Sequence, residues 1–385
     1  MPNPDAIVAN RIRFDPPLEG RDIGEAIAGE NGLSVDLGGD RRVRLDPEDR
    51  RSVGFATVLD GLAAQGLYAY IELDPATGSI ERLLLPLVGR VVSIRQPEGP
   101  GGGIEVEFER SHARHILAAG TEGFEELERG LRAALEARRP ILLVEDFDGR
   151  IIDIRDFTPD PDGPLPPLPE PGDEPFPIPI LPKRWWDRFV WPFRTLWWWI
   201  CYPWWWWHCP SRIQAQAIFN AMAATSCNPL TVPVPCIPFK YPDDGCWARA
   251  NEMCRLMVGM GYDPAKVWID GNLLVASSNK PGCLVHWGWH VAPTICVRGW
   301  PWCDNRMVID PSLFTTPVTE GEWKAKQGDP NATLTDTNRD LYIRPPWLPL
   351  HDDSIYTATK KDLATYRLYL YNRAIQYGPP PYFCP

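Results

Sequence analysis

Alternating apolar and polar positions mark half-buried strands. They run through Leu67-Tyr68-Ala69-Tyr70-Ile71-Glu72-Leu73, Val88 to Arg95 and Ile104 to Glu109. The turn Asp74-Pro75-Ala76-Thr77-Gly78 follows the first of these, and Pro97-Glu98-Gly99-Pro100-Gly101-Gly102-Gly103 separates the other two. A glycine-rich loop cradles phosphate when a helix opens behind it. Here a strand follows, so the loop reads as a hairpin connection. The period then changes to 3.6: Phe124, Leu127, Leu131, Ala134 and Leu135 share one face of a helix predicted from Thr121 to about Arg138. A last hairpin is predicted from Ile141 to Glu145 and Ile151 to Ile154, around Asp146-Phe147-Asp148-Gly149. Residues 1–156 thus read as a small α+β domain. His112 and His115 have no cysteine or carboxylate pattern beside them and read as solvated surface residues, so this domain offers no catalytic constellation.

The periodicity stops at residue 157. Eleven of residues 157–182 are proline, a composition that favours extended polyproline II over a packed core, and 157–183 reads as a linker. Residues 184–209 follow, with ten tryptophans between Trp185 and Trp207 and with Arg184, Arg188 and Arg194 interleaved. Three readings suit this segment: an anchor at a membrane surface, an arm docking on another surface, or an aromatic clasp on the next domain. Pro192, Pro203 and Arg194 argue against a spanning helix.

Patterning resumes over residues 210–385. Ser211 to Ala224 reads as a helix, as does Cys246 to about Met260, with Asp243 or Asp244 as its cap and Gly261 as its stop. Val267 to Ile269 is a short predicted strand, turned by Asp270-Gly271-Asn272. Cys283 to Val297 and Arg306 to Asp310 are expected as an antiparallel pair joined by the Gly299 to Asp304 turn. A final helix is predicted from Thr359 to Tyr377, with Thr359 as cap, Asp362 completing a capping box, and Gly378 and three prolines ending it.

Length and composition narrow the function. A chain of 385 residues accommodates two domains. A net charge of −11 without a long basic run argues against nucleic-acid binding. Met1-Pro2-Asn3-Pro4-Asp5 lacks the pattern of a secretory signal, and no run of 18 charge-free apolar residues suggests a membrane span. All ten cysteines follow residue 200. If Cys246 is free nine remain, so disulfides with at least one thiol left over are expected. Disulfides suit an exported or extracellular protein despite the missing signal.

Cys246 stands where a helix opens, after Asp243-Asp244-Gly245. The positive end of the helix dipole lies there, and a thiol in that field ionises more readily. His290 follows His286 by four residues on one strand face, and spacing alone lets either act as a base. Asp310 ends a strand at Asp-Pro, where a turn initiator is the plain reading. Together Cys246, His290 and Asp310 form a nucleophile, a proton shuttle and an orienting acid, with the backbone N–H groups of Cys246 and Trp247 placed for an oxyanion. That constellation needs no cofactor and no metal. It leaves the reaction at acyl transfer: a protease, an amidase or a transglutaminase-like enzyme. Asp243 and Asp244 would oppose ionisation of the thiol, so both are expected to turn toward backbone N–H groups and away from the sulfur.

Four ordered motifs resemble the bacterial protein-glutaminase (protein-glutamine deamidase) family. They are Ile237-Pro238-Phe239 through Tyr241-Pro242-Asp243-Asp244-Gly245-Cys246-Trp247-Ala248-Arg249-Ala250, then Gly271-Asn272-Leu273, Trp289-His290-Val291-Ala292 and Ile309-Asp310-Pro311-Ser312-Leu313-Phe314. The separations of 44 residues from Cys246 to His290 and 20 from His290 to Asp310 are also similar. The resemblance covers roughly residues 230–330 and favours His290 over His286. It departs at Asn251, where the family pattern suggests histidine, which bears on substrate contacts or helix packing. The resemblance implies a papain/transglutaminase-like catalytic domain over residues 210–385, its cysteine helix packed on an antiparallel sheet. It also implies hydrolysis of protein-bound glutamine through a thioester, with glutamine-bearing proteins as partners. Family members can carry a covering N-terminal segment, so residues 1–156 read either as a covering module or as a targeting module. A transglutaminase-like acyl transferase, a cysteine protease and a non-enzymatic tryptophan-rich surface protein are the alternatives.

Overall fold

The computed structural model describes residues 5–18, 21–29, 32–39, 41–96, 102–157, 209–231, 235–298, 304–343 and 351–383. The proline-rich and tryptophan-rich stretches, 158–208, lie outside the described residues, as do the readings made of them. The chain is α+β with antiparallel sheets and divides into two compact units. The first takes the described residues within Met1–Asp173, Cys227–Asp244 and Ala364–Pro385; the second takes those within Glu174–Ser226 and Gly245–Leu363.

The first unit begins with β1 (Ile7–Ala9), β2 (Arg13–Asp15), α1 (Ile23–Ala28), β3 (Ser34–Asp36), β4 (Arg42–Arg44), α2 (Ser52–Gln65), β5 (Ala69–Leu73) and β6 (Ile80–Leu84). Strands β1, β5 and β6 form one small sheet, and β2, β3 and β4 another. Their core gathers Leu33, Val35, Phe55, Val58, Leu59 and Ile71. A five-stranded sheet follows: β7 (Leu87–Arg95), β8 (Gly103–Phe108), β9 (Arg114–Ala118), β10 (Pro140–Glu145) and β11 (Ile151–Asp156), in the order β11-β10-β7-β8-β9. Helix α3 (Phe124–Ala137) buries Leu127, Leu131 and Ala134 in that sheet's core, as its 3.6-residue stripe predicts. Its N-cap is Gly123, not Thr121. The glycine-rich stretch does join an antiparallel pair, β7 and β8.

His112 and His115 are buried in this unit, contrary to the surface reading. Each is held by an acid distant in sequence. The His115 ring meets Glu145 at 2.6 Å and Ser111 Oγ at 3.2 Å. Burial alone would lower the His115 pKa, but the charge and hydrogen bond of Glu145 raise it. His112 Nδ1 lies 3.0 Å from Asp244.

The second unit holds α4 (Arg212–Ala224), α5 (Cys246–Gly259), β12 (Ala265–Ala276), β13 (Leu284–Arg298), β14 (Asp304–Val308), β15 (Val318–Thr319), α6 (Glu320–Lys326), β16 (Thr333–Thr337), β17 (Leu341–Ile343) and β18 (His351–Asp352). Strands run in the order β15-β14-β13-β12-β16, all antiparallel, with β17 and β18 as a separate ribbon. Helix α5 packs on β13. A disulfide joins Cys209 to Cys296; another joins Cys227 to Cys236 in the first unit, and Cys283 is disulfide-bonded as well. Cys246 and Cys254 are buried thiols outside any disulfide.

Helix α7 (Thr357–Tyr377) crosses the division of the chain, since the second unit ends at Leu363. Its later turns put Leu368 and Tyr371 into the core of the first unit beside Phe55 and Leu59. Residues 364–383, grouped by sequence with the catalytic domain, therefore help to build the other unit. The helix starts at Thr357, so Thr359 lies inside it and is not its cap; the Asp362 carboxylate accepts from Trp247 Nε1 at 2.8 Å and Tyr342 Oη at 2.6 Å.

Candidate active site

Helix α5 opens at Cys246 from Gly245, whose φ of 88° is a left-handed conformation that glycine adopts without a steric penalty. No side chain caps this end. Asp243 and Asp244, expected as caps or turned to backbone amides, meet side-chain partners within the first unit, and Asp244 also meets a backbone amide. Asp243 accepts from Arg373 at 2.6 Å. Asp244 accepts from the Tyr366 hydroxyl at 2.8 Å and the His112 backbone at 3.2 Å. Burial alone would raise the Asp244 carboxyl, but the His112 ring and the Tyr366 hydroxyl bring it below the usual range. The bond from His112 N–H is one of the backbone contacts expected of it.

His290 lies on β13, opposite Ile269 of β12. Strand β14 pairs Val308 with Thr294, and Ile309 N–H donates to Pro293 at 2.9 Å. Carried one step further, that register sets Asp310 opposite Ala292, diagonal to His290 on the same face. The side chains meet there: His290 Nε2 is 2.9 Å from Asp310 Oδ2. It is thus His290, rather than His286, that Asp310 holds. A ring nitrogen of His290 lies within 4.8 Å of Cys246 Sγ. Cys246, His290 and Asp310 are 1%, 1% and 2% exposed.

The surroundings fix the imidazole from both faces. Trp287 stacks at 4.7 Å between ring centroids and Trp323 at 5.5 Å. Trp323 also donates its indole N–H to Asp310 Oδ2 at 3.0 Å, while Ser312 N–H reaches Oδ1 at 3.1 Å. Burial alone would raise the Asp310 carboxyl; the bond and charge of His290, the Trp323 indole and the Arg249 charge together hold it below the usual carboxylate range. Trp323 was missed in the sequence because α6 bears only one buried residue, so a single tryptophan on a short helix carries no periodic signal.

Cys246 and Trp247 stand in the first turn of α5, where backbone N–H groups and the positive dipole end favour a developing oxyanion. Within this unit Cys246 and His290 offer two soft ligand atoms. Asn251, the departure from the family pattern, is buried on α5 and serves helix packing: Lys266 donates to its Oδ1 and its Nδ2 donates to Thr359.

Residues 215–327 match a family model described as a glutaminase. A crystal structure of protein-glutaminase is 30% identical, with 42% of this chain covering 89% of that one at a TM-score of 0.37. The NMR structure of protein-glutaminase from Chryseobacterium proteolyticum is 31% identical, with coverages of 39% and 84% and a TM-score of 0.35. A crystal structure of pro-protein-glutaminase is 22% identical, with coverages of 74% and 93% and a TM-score of 0.47. No curated protein matches the chain.

Proposed function

Because the chain belongs to the protein-glutaminase family, we propose that it hydrolyses the side-chain amide of protein-bound glutamine to glutamate and ammonia, through a thioester on Cys246. Family membership supports an amidohydrolase. The finer reading rests on one arrangement: the buried His290–Asp310 bond of 2.9 Å, with a ring nitrogen of the same imidazole within 4.8 Å of Cys246 Sγ.

The Cys246 thiolate attacks the amide carbon, and the carbonyl oxygen takes the negative charge beside the Cys246 and Trp247 amides. His290 gives its proton to the departing nitrogen, and ammonia leaves as the tetrahedral adduct collapses to the thioester. His290 then removes a proton from water, hydroxide adds to the thioester carbon, and glutamate leaves as sulfur regains its charge. Asp310 holds one imidazole tautomer and stabilises the charged ring. The papain/transglutaminase-like character of the second unit belongs to this proposal and is supported by a cysteine helix packed on an antiparallel sheet. The disulfides support an exported protein working under oxidising conditions. Among the described residues no helix is long and apolar enough to cross a membrane.

Ammonia release from a glutamine-rich protein tests the reading. Wild type is expected to release ammonia and Cys246→Ala to release none. Release that survives Cys246→Ala overturns the assignment of the nucleophile.

A further inference from the structure

Lys266 is fully buried on β12, an unusual place for an ammonium group. Its Nζ donates to Asn251 Oδ1 at 2.6 Å and to the Leu341 carbonyl at 2.7 Å. Asn251 Nδ2 donates to Thr359 Oγ1 at 2.7 Å, and that hydroxyl donates to Asp353 Oδ2 at 2.5 Å. Asp353 also accepts the backbone N–H groups of Thr359 and Ala358 at 2.7 and 3.1 Å. All four side chains are at most 4% exposed. A buried cation and a buried carboxylate are thus joined through two neutral groups, each used as donor and acceptor in a consistent direction. Such a network is costly unless every member is satisfied.

Its connections suggest what the network does. Asn251 lies on α5, little more than one turn from Cys246. Lys266 pairs across the sheet with Pro293, three residues from His290 on β13. The Arg306 guanidinium, from β14, also reaches the Lys266 carbonyl at 3.3 Å. One residue therefore touches the thiol's helix by its side chain and the imidazole's strand by its backbone. The geometry points to Lys266 as a positioning residue: through Asn251 it sets the separation of the Cys246 thiol and the His290 imidazole. This rests on the proposed role of Cys246.

Several ionisable groups act on Lys266. Cys254 is on α5, Asp340 precedes β17, and Asp352 and Asp353 belong to β18 and the turn after it. Burial pushes the ammonium down to about 8, against the raising effect of these groups. Burial likewise raises the Cys254 thiol to about 11, so it stays neutral as Lys266 titrates. As pH rises through about 8 the folded protein gives up this proton, while the unfolded chain keeps it until about 10.5. In that window the folded state binds fewer protons, so stability from this group rises with pH even as the clamp loses its charge.

Lys266→Met, Asn251→Leu and the double variant separate positioning from folding. Three readouts suffice: kcat and KM on a glutamine peptide, the thermal midpoint, and the iodoacetamide reaction rate of Cys246 followed by peptide mass. Lys266→Met is expected to lower kcat about ten- to a hundredfold, as small misplacements do, with KM nearly unchanged. The midpoint should fall, because Asn251 Oδ1 and the Leu341 carbonyl lose their buried donor and the Asp353 carboxylate loses its cation, so kcat is read only on protein that remains folded. Asn251→Leu should lose stability by stranding Lys266, and the double variant should regain it. The double variant's kcat should match Lys266→Met, since both changes cut one contact. Cys246 alkylation should change in Lys266→Met while Cys254 stays unmodified in folded protein. Wild-type kcat and alkylation in a folded Lys266→Met, or kcat losses that multiply in the double variant, overturn the inference. Absent ammonia release from wild type would overturn the glutaminase reading alone, because alkylation reads the thiol without substrate.

Discussion

Asp310 Oδ2 accepts from both His290 Nε2 and Trp323 Nε1, so this carboxylate is held by two side-chain donors in a dry setting. Its folded-state pKa lies below the ordinary 3.8. The stability it contributes is complete above 3.8 and is lost as pH falls through the lower folded value. Asp310→Asn should remove that loss: the difference in unfolding free energy between wild type and variant should shrink as pH drops below 3.8 and through the lower folded value. A constant difference would show that Asp310 does not ionise as described. The same variant should lower kcat about a hundredfold, because an amide cannot stabilise the charged imidazole. In the sequence, His290 and Asp310 were legible because a strand, a turn and a strand bring their ends together. Lys266 and the two buried histidines were not. Their partners, Leu341, Asp244 and Glu145, lie 75, 132 and 30 residues away, and burial of a polar group is decided by such partners rather than by its neighbours.

Among the described residues, eight of the eighteen strands (β5, β7, β8, β10, β11, β12, β13 and β14) and α3 were readable as elements, because one face is wet and the other dry, which leaves a period of 2 or 3.6. Helix α2 was not read. Its Phe55, Ala56, Thr57, Val58 and Leu59 are consecutive and all buried, so no polar face marks the period. It also carries Gly54 and Gly61, which are poor helix formers. Their place is explained by close approach to α7. A Cβ at Gly54 would fall 2.7 Å from Ile375 Cδ1, and one at Gly61 would fall 2.7 Å from Leu368 Cδ2. Gly54→Ala gains about 1 kcal/mol of helix propensity but forces a β-branched neighbour aside, at a cost of roughly 1–3 kcal/mol. A net fall in the urea midpoint is expected; a rise would mean that Ile375 yields freely. Helix ends were the least readable feature: Gly245 needs no side-chain cap, and both candidate acids serve tertiary contacts.

At the scale of the molecule, chain order and compact units do not coincide. The core of residues 7–85 is completed by Leu368 and Tyr371, with Tyr369 and Ile375 packed against it. Asn372 and Gln376 add bonds to the Leu83 carbonyl, both at 2.8 Å. Deleting residues 1–183 to test for a covering role would strip these side chains of their neighbours and mix folding with regulation. A protease site inserted within residues 158–183 avoids that. After cutting, the two fragments should co-elute in native buffer and part only in denaturant; separation in native buffer would contradict the shared core. No local pattern announces this arrangement, because the segment from 364 onward meets partners nearly 300 residues earlier. The Cys246 chemistry itself is tested most directly by mass spectrometry of a glutamine-rich protein treated in heavy-oxygen water. Hydrolysis through a Cys246 thioester should convert glutamine side chains to glutamate carrying one solvent oxygen, with wild type and not with Cys246→Ala. Unchanged glutamine, isopeptide cross-links or cleaved backbone in the wild-type reaction would contradict it.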